Sequence, residues 1–126
     1  MELDIETIGA GPQIVLLHSL LTDRTSFAAL ADRLSSVRRV TLVNLPGFGM
    51  SPPAVPLKGW ADRVADMCVS LGSSAKPDIL GNGLGSFVAL TMAARHGAQI
   101  GRIVLLGAAV AFPEISRPRS RIMRVY

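Results

Sequence analysis

The sequence has few of the residues that build metal centres, disulfide frameworks or aromatic binding surfaces. Its 126 residues include one cysteine, Cys68, and two histidines, and aromatic residues make up 5% of the chain. A single cysteine cannot form an internal disulfide, and no grouping of Cys, His and carboxylate side chains predicts a metal site. Cys68 falls on the apolar face of a predicted helix, so we interpret it as a small buried hydrophobic residue. We expect no metal and no other cofactor.

Long apolar segments are also lacking, and the start of the sequence does not resemble a secretory leader. A membrane-spanning helix needs about 20 apolar residues, whereas the run from Ile103 to Phe112 suits a buried strand and its exit. The N-terminus, MELDIETIGAG, carries three acidic residues and no basic segment, unlike a signal peptide. We therefore expect no membrane partner and a cytoplasmic location.

The net charge of +4 is concentrated at the C-terminal end of the chain. Four of the 13 basic residues lie within the last ten positions: Arg117, Arg119, Arg121 and Arg124. The rest of the chain is balanced, because nine basic and nine acidic residues remain. An arginine-rich tail can bind phosphates, but no nucleic-acid motif or interleaved aromatic residue accompanies it. We expect no nucleic-acid partner.

What the sequence does contain is a regular alternation of strands and helices. Continuous β-branched and leucine runs predict buried parallel strands, and apolar residues at helical spacing predict amphipathic helices. The predicted strands are Glu2 to Ile8, Ile14 to Leu17, Arg39 to Asn44, Asp78 to Leu80 and Arg102 to Leu106. Three helices are predicted. The first begins after Thr22, Asp23 or Thr25 and ends near Ser36, and the second runs from Gly59 to Leu71. The third runs from Leu84 to His96, with Gly97 as its C-terminal cap. This order indicates one α/β domain with three α/β/α layers and a mostly parallel sheet.

The stretch Pro77 to Ala94, PDILGNGLGSFVALTMAA, organises the rest of the chain. It predicts a buried strand, a glycine-packed turn and a helix. The turn, from Gly81 to Gly85, has the outline of the G-x-S-x-G nucleophile elbow, in which a serine is held on a sharp strand-to-helix bend. Gly83 stands at the place of that serine.

Three loops together resemble the α/β-hydrolase family. The segments IVLLHSL, VNLPGFGMS and LGNGLGSFVAL occur in the family's order and resemble its oxyanion loop, its D-x-P-G-x-G-x-S loop and its elbow. His18-Ser19 replaces the common His-Gly, a variant similar to that of enol-lactonases, and Asn44 replaces a frequent aspartate. The resemblance implies an incomplete α/β-hydrolase fold, with residues 1–112 as the N-terminal part of the domain and 113–126 as a basic tail or the start of a lid segment.

The resemblance also implies the composition of a reaction site. The oxyanion hole would be made by the backbone N–H groups of Leu20 and Leu84, the second at a helix N-terminus that favours negative charge. Gly83 would be a vacant nucleophile position. The residues implied in substrate binding are His18, Ser19, Asn82 and Ser86.

The catalytic acid and base of such a site are expected after the strand Arg102 to Leu106 and beyond a lid. Neither histidine fits the role of base, because His18 belongs to the oxyanion loop and His96 to a helix end. Ser86 lies one helical turn beyond the bend and is not expected to replace the nucleophile. We therefore predict that this chain alone is inactive.

Two functions remain open from the sequence. The first is hydrolysis of an ester, lactone or related carbon-bonded substrate, by resemblance. The second is a non-catalytic binding module that pairs through an open sheet edge, since the strand Arg102 to Leu106 would lack a neighbour. A complementing C-terminal segment or a second copy of the chain is the expected partner. A dinucleotide-binding turn at Gly81 is disfavoured, because Ser86 takes the third glycine position and no acidic residue follows the next strand.

Overall fold

The computed structural model describes residues 2–52, 56–72 and 75–107 of the chain. The predicted tail or lid segment, 113–126, and the predicted loop beyond Gly107 lie outside these described residues.

The described chain forms a five-stranded, mostly parallel sheet, as predicted. The strands are β1 (Ile5–Ile8), β2 (Gln13–Leu17), β3 (Arg39–Val43), β4 (Asp78–Asn82) and β5 (Ile103–Leu106), in the order β1-β3-β2-β4-β5. β1 is antiparallel to β3, and the other neighbouring strands are parallel. Leu17 of β2 is level with Val43 of β3 and Gly81 of β4. The carboxyl ends of these three strands therefore meet at one edge, where parallel sheets place their ligand sites.

Helices cover both faces of the sheet and complete the three predicted layers. A 3₁₀ turn (Arg24–Phe27) leads into α1 (Ala28–Leu34), a second (Leu57–Gly59) leads into α2 (Trp60–Ser70), and α3 (Leu84–His96) continues into a third (Gly97–Gln99). α1 packs on one face of the sheet, and α2 and α3 pack on the other. Of the described helices, none has the length and apolar character to cross a bilayer.

Two apolar clusters, one on each face, hold the layers together. β2 contributes to both because all five of its residues are buried, which matches its continuous apolar run. The cluster under α1 comprises Ile14, Leu16, Phe27, Ala31, Val40, Leu42 and Leu80. The cluster under α2 and α3 includes Val15, Leu17, Val43, Leu45, Val64, Ile79, Val88, Met92 and Leu105.

Several element ends differ in detail from the sequence prediction. Asp23 is the capping residue among the three candidates, since its Oδ1 accepts a hydrogen bond from Thr25 N–H at 2.8 Å. β4 is two residues longer than predicted, because Gly81 and Asn82 pair with β5. Gly97 ends α3 as predicted, but its φ of −55° is right-handed, so the cap does not use the left-handed freedom of glycine.

The start of α3 packs directly against the backbone of the sheet. A Cβ on Gly85 would overlap the carbonyl oxygen of Leu17, and a Cβ on Gly81 would overlap the carbonyl oxygen of Gly85. Side chains at these positions would push the helix away from β2 and β4. The two outer glycines of the G-x-G-x-G turn are therefore required by this close approach.

We expect Gly85→Ala to lower the free energy of unfolding by about 1 to 3 kcal/mol or more, because the new methyl group overpacks the contact with Leu17. Gly97→Ala is the matched control. Position 97 has a helical φ, and a Cβ added there would have no atom within 4 Å, so alanine should be neutral or stabilise by about 0.4 to 1 kcal/mol. Urea denaturation of both variants measures the difference. Equal effects at the two positions would contradict the close-packing argument.

Candidate functional site

Gly83 forms the bend between β4 and α3 in a conformation that few other residues adopt. Its φ is 54° and its ψ is −115°, which lies outside the regions that L-residues favour. Gly83 N–H donates to Leu106 O at 3.2 Å, and Gly83 C=O accepts from Ser86 N–H at 3.0 Å. A sparsely populated backbone conformation of this kind, held by its neighbours on both sides, is typical of a functional turn.

Two backbone N–H groups beside the bend have no acceptor in the described part of the chain. Leu84 is the first residue of α3, and the N–H groups of a first helical turn have no partner within the helix. Leu20, in the loop after β2, likewise has no described acceptor for its N–H. This loop lies beside the bend, since Ser19 is in contact range of Gly83. Neither group is thus used by a hydrogen bond within the described part of the fold.

His18 is fully buried, and both of its ring nitrogens are used within the fold. Nε2 accepts a hydrogen bond from Leu45 N–H at 3.0 Å, and Nδ1 lies 2.9 Å from Ser19 O. The accepting Nε2 assigns the proton to Nδ1, which donates to Ser19 O. Phe48 packs edge-on against the ring at a centroid distance of 4.9 Å. The imidazole therefore joins the loop after β2 to the loop after β3.

The other polar residues predicted at the site are divided between the fold and its surface. Ser86 is fully buried and its Oγ donates to Gly81 O at 2.8 Å, so it points away from the bend surface. Ser19 and Asn82 are half-buried beside the bend. His18 and Ser86 would thus affect ligand binding only indirectly, through the backbone that their side chains hold in place.

His96 and Cys68 lie away from the reaction position. His96 Nε2 is 2.7 Å from Asp62 Oδ1, and this hydrogen bond lowers the pKa of Asp62. His96 closes α3 and is therefore roughly 18 Å along the helix from the bend, at 1.5 Å per residue. Burial raises the pKa of the Cys68 thiol to about 11, so this thiol is protonated at neutral pH, as expected of a residue without a nucleophilic role.

A polar network that the sequence did not indicate ties the N-terminal segment to the loop after β3. Asp4 Oδ2 accepts from Asn44 Nδ2 at 2.7 Å and from Met50 N–H at 3.1 Å. Asn44 Oδ1 accepts from Arg24 N–H at 2.7 Å, and Arg24 Nε is 3.6 Å from Asp4 Oδ1. The hydrogen bonds from Asn44 and Met50 lower the pKa of Asp4. Asn44, in the place of the frequent aspartate, supplies the donor that the Asp4 carboxylate needs.

Apolar side chains are exposed on the loops that leave this edge of the sheet. Leu20 is 60% exposed, Leu21 92% and Met50 86%. Leu21 also has a φ of 64°, a left-handed value that is uncommon for a non-glycine residue. The loops after β2 and β3 therefore present apolar side chains to their surroundings.

No described group of three or more His, Cys, Asp or Glu residues could hold a metal ion. A groove of about 490 Å³ lies between the N-terminal segment and α2, and its lining includes Leu3, Ile5, Arg63, Asp66 and Met67. None of its lining residues belongs to the bend or to the loop after β2. The groove is therefore separate from the candidate site.

Comparison with known proteins identifies the family to which this architecture belongs. The sequence model of the alpha/beta hydrolase fold matches residues 12–123, so the chain is a member of the α/β-hydrolase family. Among curated proteins, the pimeloyl-[acyl-carrier protein] methyl ester esterase of Chromobacterium violaceum is 36% identical over 112 residues, and that of Nitrosospira multiformis is 33% identical over 116 residues. Each match covers 89% of this chain but only 43% and 44% of the respective relative. The chain thus spans less than half the length of these relatives.

Solved structures agree with this assignment. A thermophilic esterase from Thermogutta terrifontis superposes with a TM-score of 0.77 and 29% identity over 82% of this chain and 39% of its own. A marine microorganism esterase gives a TM-score of 0.78 over 82% of this chain and 41% of its own. Because the second protein is only 21% identical, its similarity shows the fold alone. The predicted incomplete α/β-hydrolase fold is confirmed.

We expect the stability of the protein to fall as the pH drops below about 6.5 because of His18. Burial lowers the pKa of His18 from its ordinary 6.5, so the folded state favours the neutral ring and the unfolded state binds the proton first. The stabilisation by the neutral His18 ring is complete above the pKa of this residue in the unfolded chain. It is lost as the pH falls towards its lower pKa in the folded protein. His18→Gln keeps an acceptor for Leu45 N–H but cannot titrate. Its urea midpoint should fall less than that of the parent between about pH 7.5 and pH 5.5. If the urea midpoints of the parent and of His18→Gln fell in parallel with pH, the assignment of this pH dependence to His18 would be contradicted.

We also expect Asn44→Asp to destabilise the protein by at least about 1 kcal/mol, because it replaces the donor to Asp4 with a second carboxylate. The exchange Asp4→Asn with Asn44→Asp restores one donor and one acceptor to the pair and should recover part of this loss. Thermal unfolding of both single variants and the exchange measures the coupling. Strictly additive effects would show that the two side chains act independently.

Proposed function

We propose that this chain is the N-terminal part of an esterase-type hydrolase that binds a carboxylic ester, lactone or related carbon-bonded substrate at the Gly83 bend. The observation that carries the proposal is the bend itself, with the open N–H groups of Leu84 and Leu20 beside it. Two such donors form an oxyanion hole when both point at the same carbonyl oxygen. The identity to two named esterases supports the same class.

The proposed role of the two N–H groups is to polarise the substrate carbonyl. As a nucleophile adds to the carbonyl carbon, negative charge develops on oxygen, and fixed donors stabilise it without reorganisation. Loss of one such donor typically lowers kcat by about 10² to 10³. The N-terminal end of α3 adds its dipole to this effect.

In an intact site of this class, a serine at the bend attacks the carbonyl and a histidine takes its proton. We propose that Gly83 occupies the nucleophile position, so no hydroxyl is available there. The two histidines of the described chain are engaged elsewhere, His18 with Leu45 N–H and His96 with Asp62. These residues would therefore hold and polarise a carbonyl or carboxylate without hydrolysing it by themselves.

The proposed ligand is an ester or acid with an aliphatic acyl chain. The exposed side chains of Leu20, Leu21 and Met50 provide an apolar surface on the loops beside the bend. The names of the curated relatives specify a methyl ester of a pimeloyl group carried by a protein. A monomethyl ester of a medium-length dicarboxylic acid therefore combines the expected ester, the apolar chain and a carboxylate.

A second candidate function is that of a non-catalytic module that pairs through its sheet edge. In the described chain, β5 has a strand neighbour on one side only. Ile103, Val104 and Leu106 of β5 are only half-buried. An exposed apolar strand of this kind is a template for a further strand, which favours a complementing segment or a second copy of the chain as partner.

We expect monomethyl pimelate to shift the amide signals of Leu20 and Leu84 in a ¹H–¹⁵N spectrum of the protein, because its carbonyl or carboxylate oxygen should lie between these two donors. Heptylamine is the matched control, with a similar chain and a cation in place of the oxygen acceptors. Hydrolysis of nitrophenyl esters by the chain alone should not exceed the buffer rate. Shifts confined to β5, or equal shifts with heptylamine, would contradict the proposed oxyanion site.

Light scattering on the same samples tests the second candidate function, pairing through the sheet edge. A strictly monomeric protein would exclude it.

A further inference from the structure

Ser19 lies directly against the bend at the place where a side chain on residue 83 would stand. A Cβ built on Gly83 would be 2.8 Å from the Cβ of Ser19, a separation that two such atoms do not adopt in proteins. The next nearest atoms, also of Ser19, are Cα at 3.7 Å and Oγ at 3.9 Å, which are ordinary van der Waals distances. The conflict is therefore with one atom, the β-carbon of Ser19.

The β-carbon of Ser19 cannot turn away from this contact. Rotation about χ1 moves the hydroxyl group but leaves Cβ where the backbone places it. The backbone is also anchored, because Ser19 O accepts hydrogen bonds from His18 Nδ1 at 2.9 Å and from Thr22 Oγ1 at 2.9 Å. Relief of the conflict thus requires either a shift of this anchored loop or the removal of the β-carbon.

We propose that Ser19 closes the nucleophile position of this chain and is coupled to Gly83, so that a reactive side chain at position 83 requires either glycine at position 19 or a shift of the anchored loop. This inference rests on the proposed function, which identifies position 83 as the nucleophile position. Ser19 is then a positioning residue. It determines whether the space above the bend holds a side chain or only a ligand atom.

A thiol at position 83 can test this coupling, because alkylation of a thiol needs no partner base from elsewhere in the protein. Three variants are compared: Gly83→Cys alone, Gly83→Cys with Ser19→Gly, and Gly83→Cys with Ser19→Ala. The alanine variant is the matched control, since it removes the hydroxyl but keeps the β-carbon. Iodoacetamide modification is followed by peptide mapping, and thermal unfolding is measured on the same samples. Cys68 reports on folding, because its burial should keep it unreactive in each folded variant.

The backbone strain of a non-glycine residue at the bend is common to all three variants and cancels in the comparison. We expect Ser19→Gly to accelerate modification of the introduced thiol by about tenfold and to raise the melting temperature of the Gly83→Cys protein by about 5 °C more than it does in the parent. Ser19→Ala should give neither effect. Additive melting temperatures together with modification rates that agree within about twofold would overturn the coupling.

The same experiment separates this inference from the proposed function. A helix N-terminus lowers the pKa of a thiol and speeds its modification relative to free cysteine. Coupling without such acceleration in any variant would retain the role of Ser19 but contradict the proposed electrostatics of the site. Acceleration that is equal in all three variants would retain the site and contradict the role of Ser19.

Discussion

The architecture of the site depends on one contact, the backbone-to-backbone packing of the first turn of α3 against the sheet. Gly85 lies on the carbonyl oxygen of Leu17, and Gly81 lies under the same turn. No side chain intervenes, so the helix begins immediately after β4, and the chain must turn through the left-handed conformation at Gly83. The open N–H group of Leu84 follows from this geometry, because the helix starts at the edge where β2, β3 and β4 all end.

Hydrogen bonds then set the neighbouring loops against this bend. The neutral ring of His18 joins the loop after β2 to Leu45 N–H, and Asn44 joins the loop after β3 to Asp4. These interactions are polar and largely buried, so each depends on having the correct partner present. A charged His18 would lose the acceptor for Leu45, and an acidic residue 44 would face Asp4 without a donor. The loops that surround the candidate site are therefore held by specific pairs rather than by apolar packing alone.

These features together describe an α/β-hydrolase fold in which the proposed polarising groups do not depend on side-chain identity. Backbone donors persist when side chains change, so an oxyanion hole can remain where the nucleophile has been replaced. In the proposed site, Gly83 relieves the strain of the bend and Ser19 fills the space above it. A change of nucleophile at this position is thus a change in packing as well as in chemistry, and the two residues need to be considered as a pair.

The sequence alone was enough to predict the order of strands and helices, the parallel sheet, the family and the position of the bend, because apolar periodicity and glycine spacing are local signals. It also indicated that Cys68 is inert. It could not indicate the pairing of Asp4 with Asn44, the use of both nitrogens of His18, the inward direction of Ser86 or the contact between Ser19 and Gly83. The Asp4–Asn44, His18–Leu45 and Ser19–Gly83 contacts join residues from different segments, 40, 27 and 64 positions apart. Such contacts carry no local pattern, and only the packing of β2, β3, β4 and α3 at one edge of the sheet brings their atoms within bonding or contact distance.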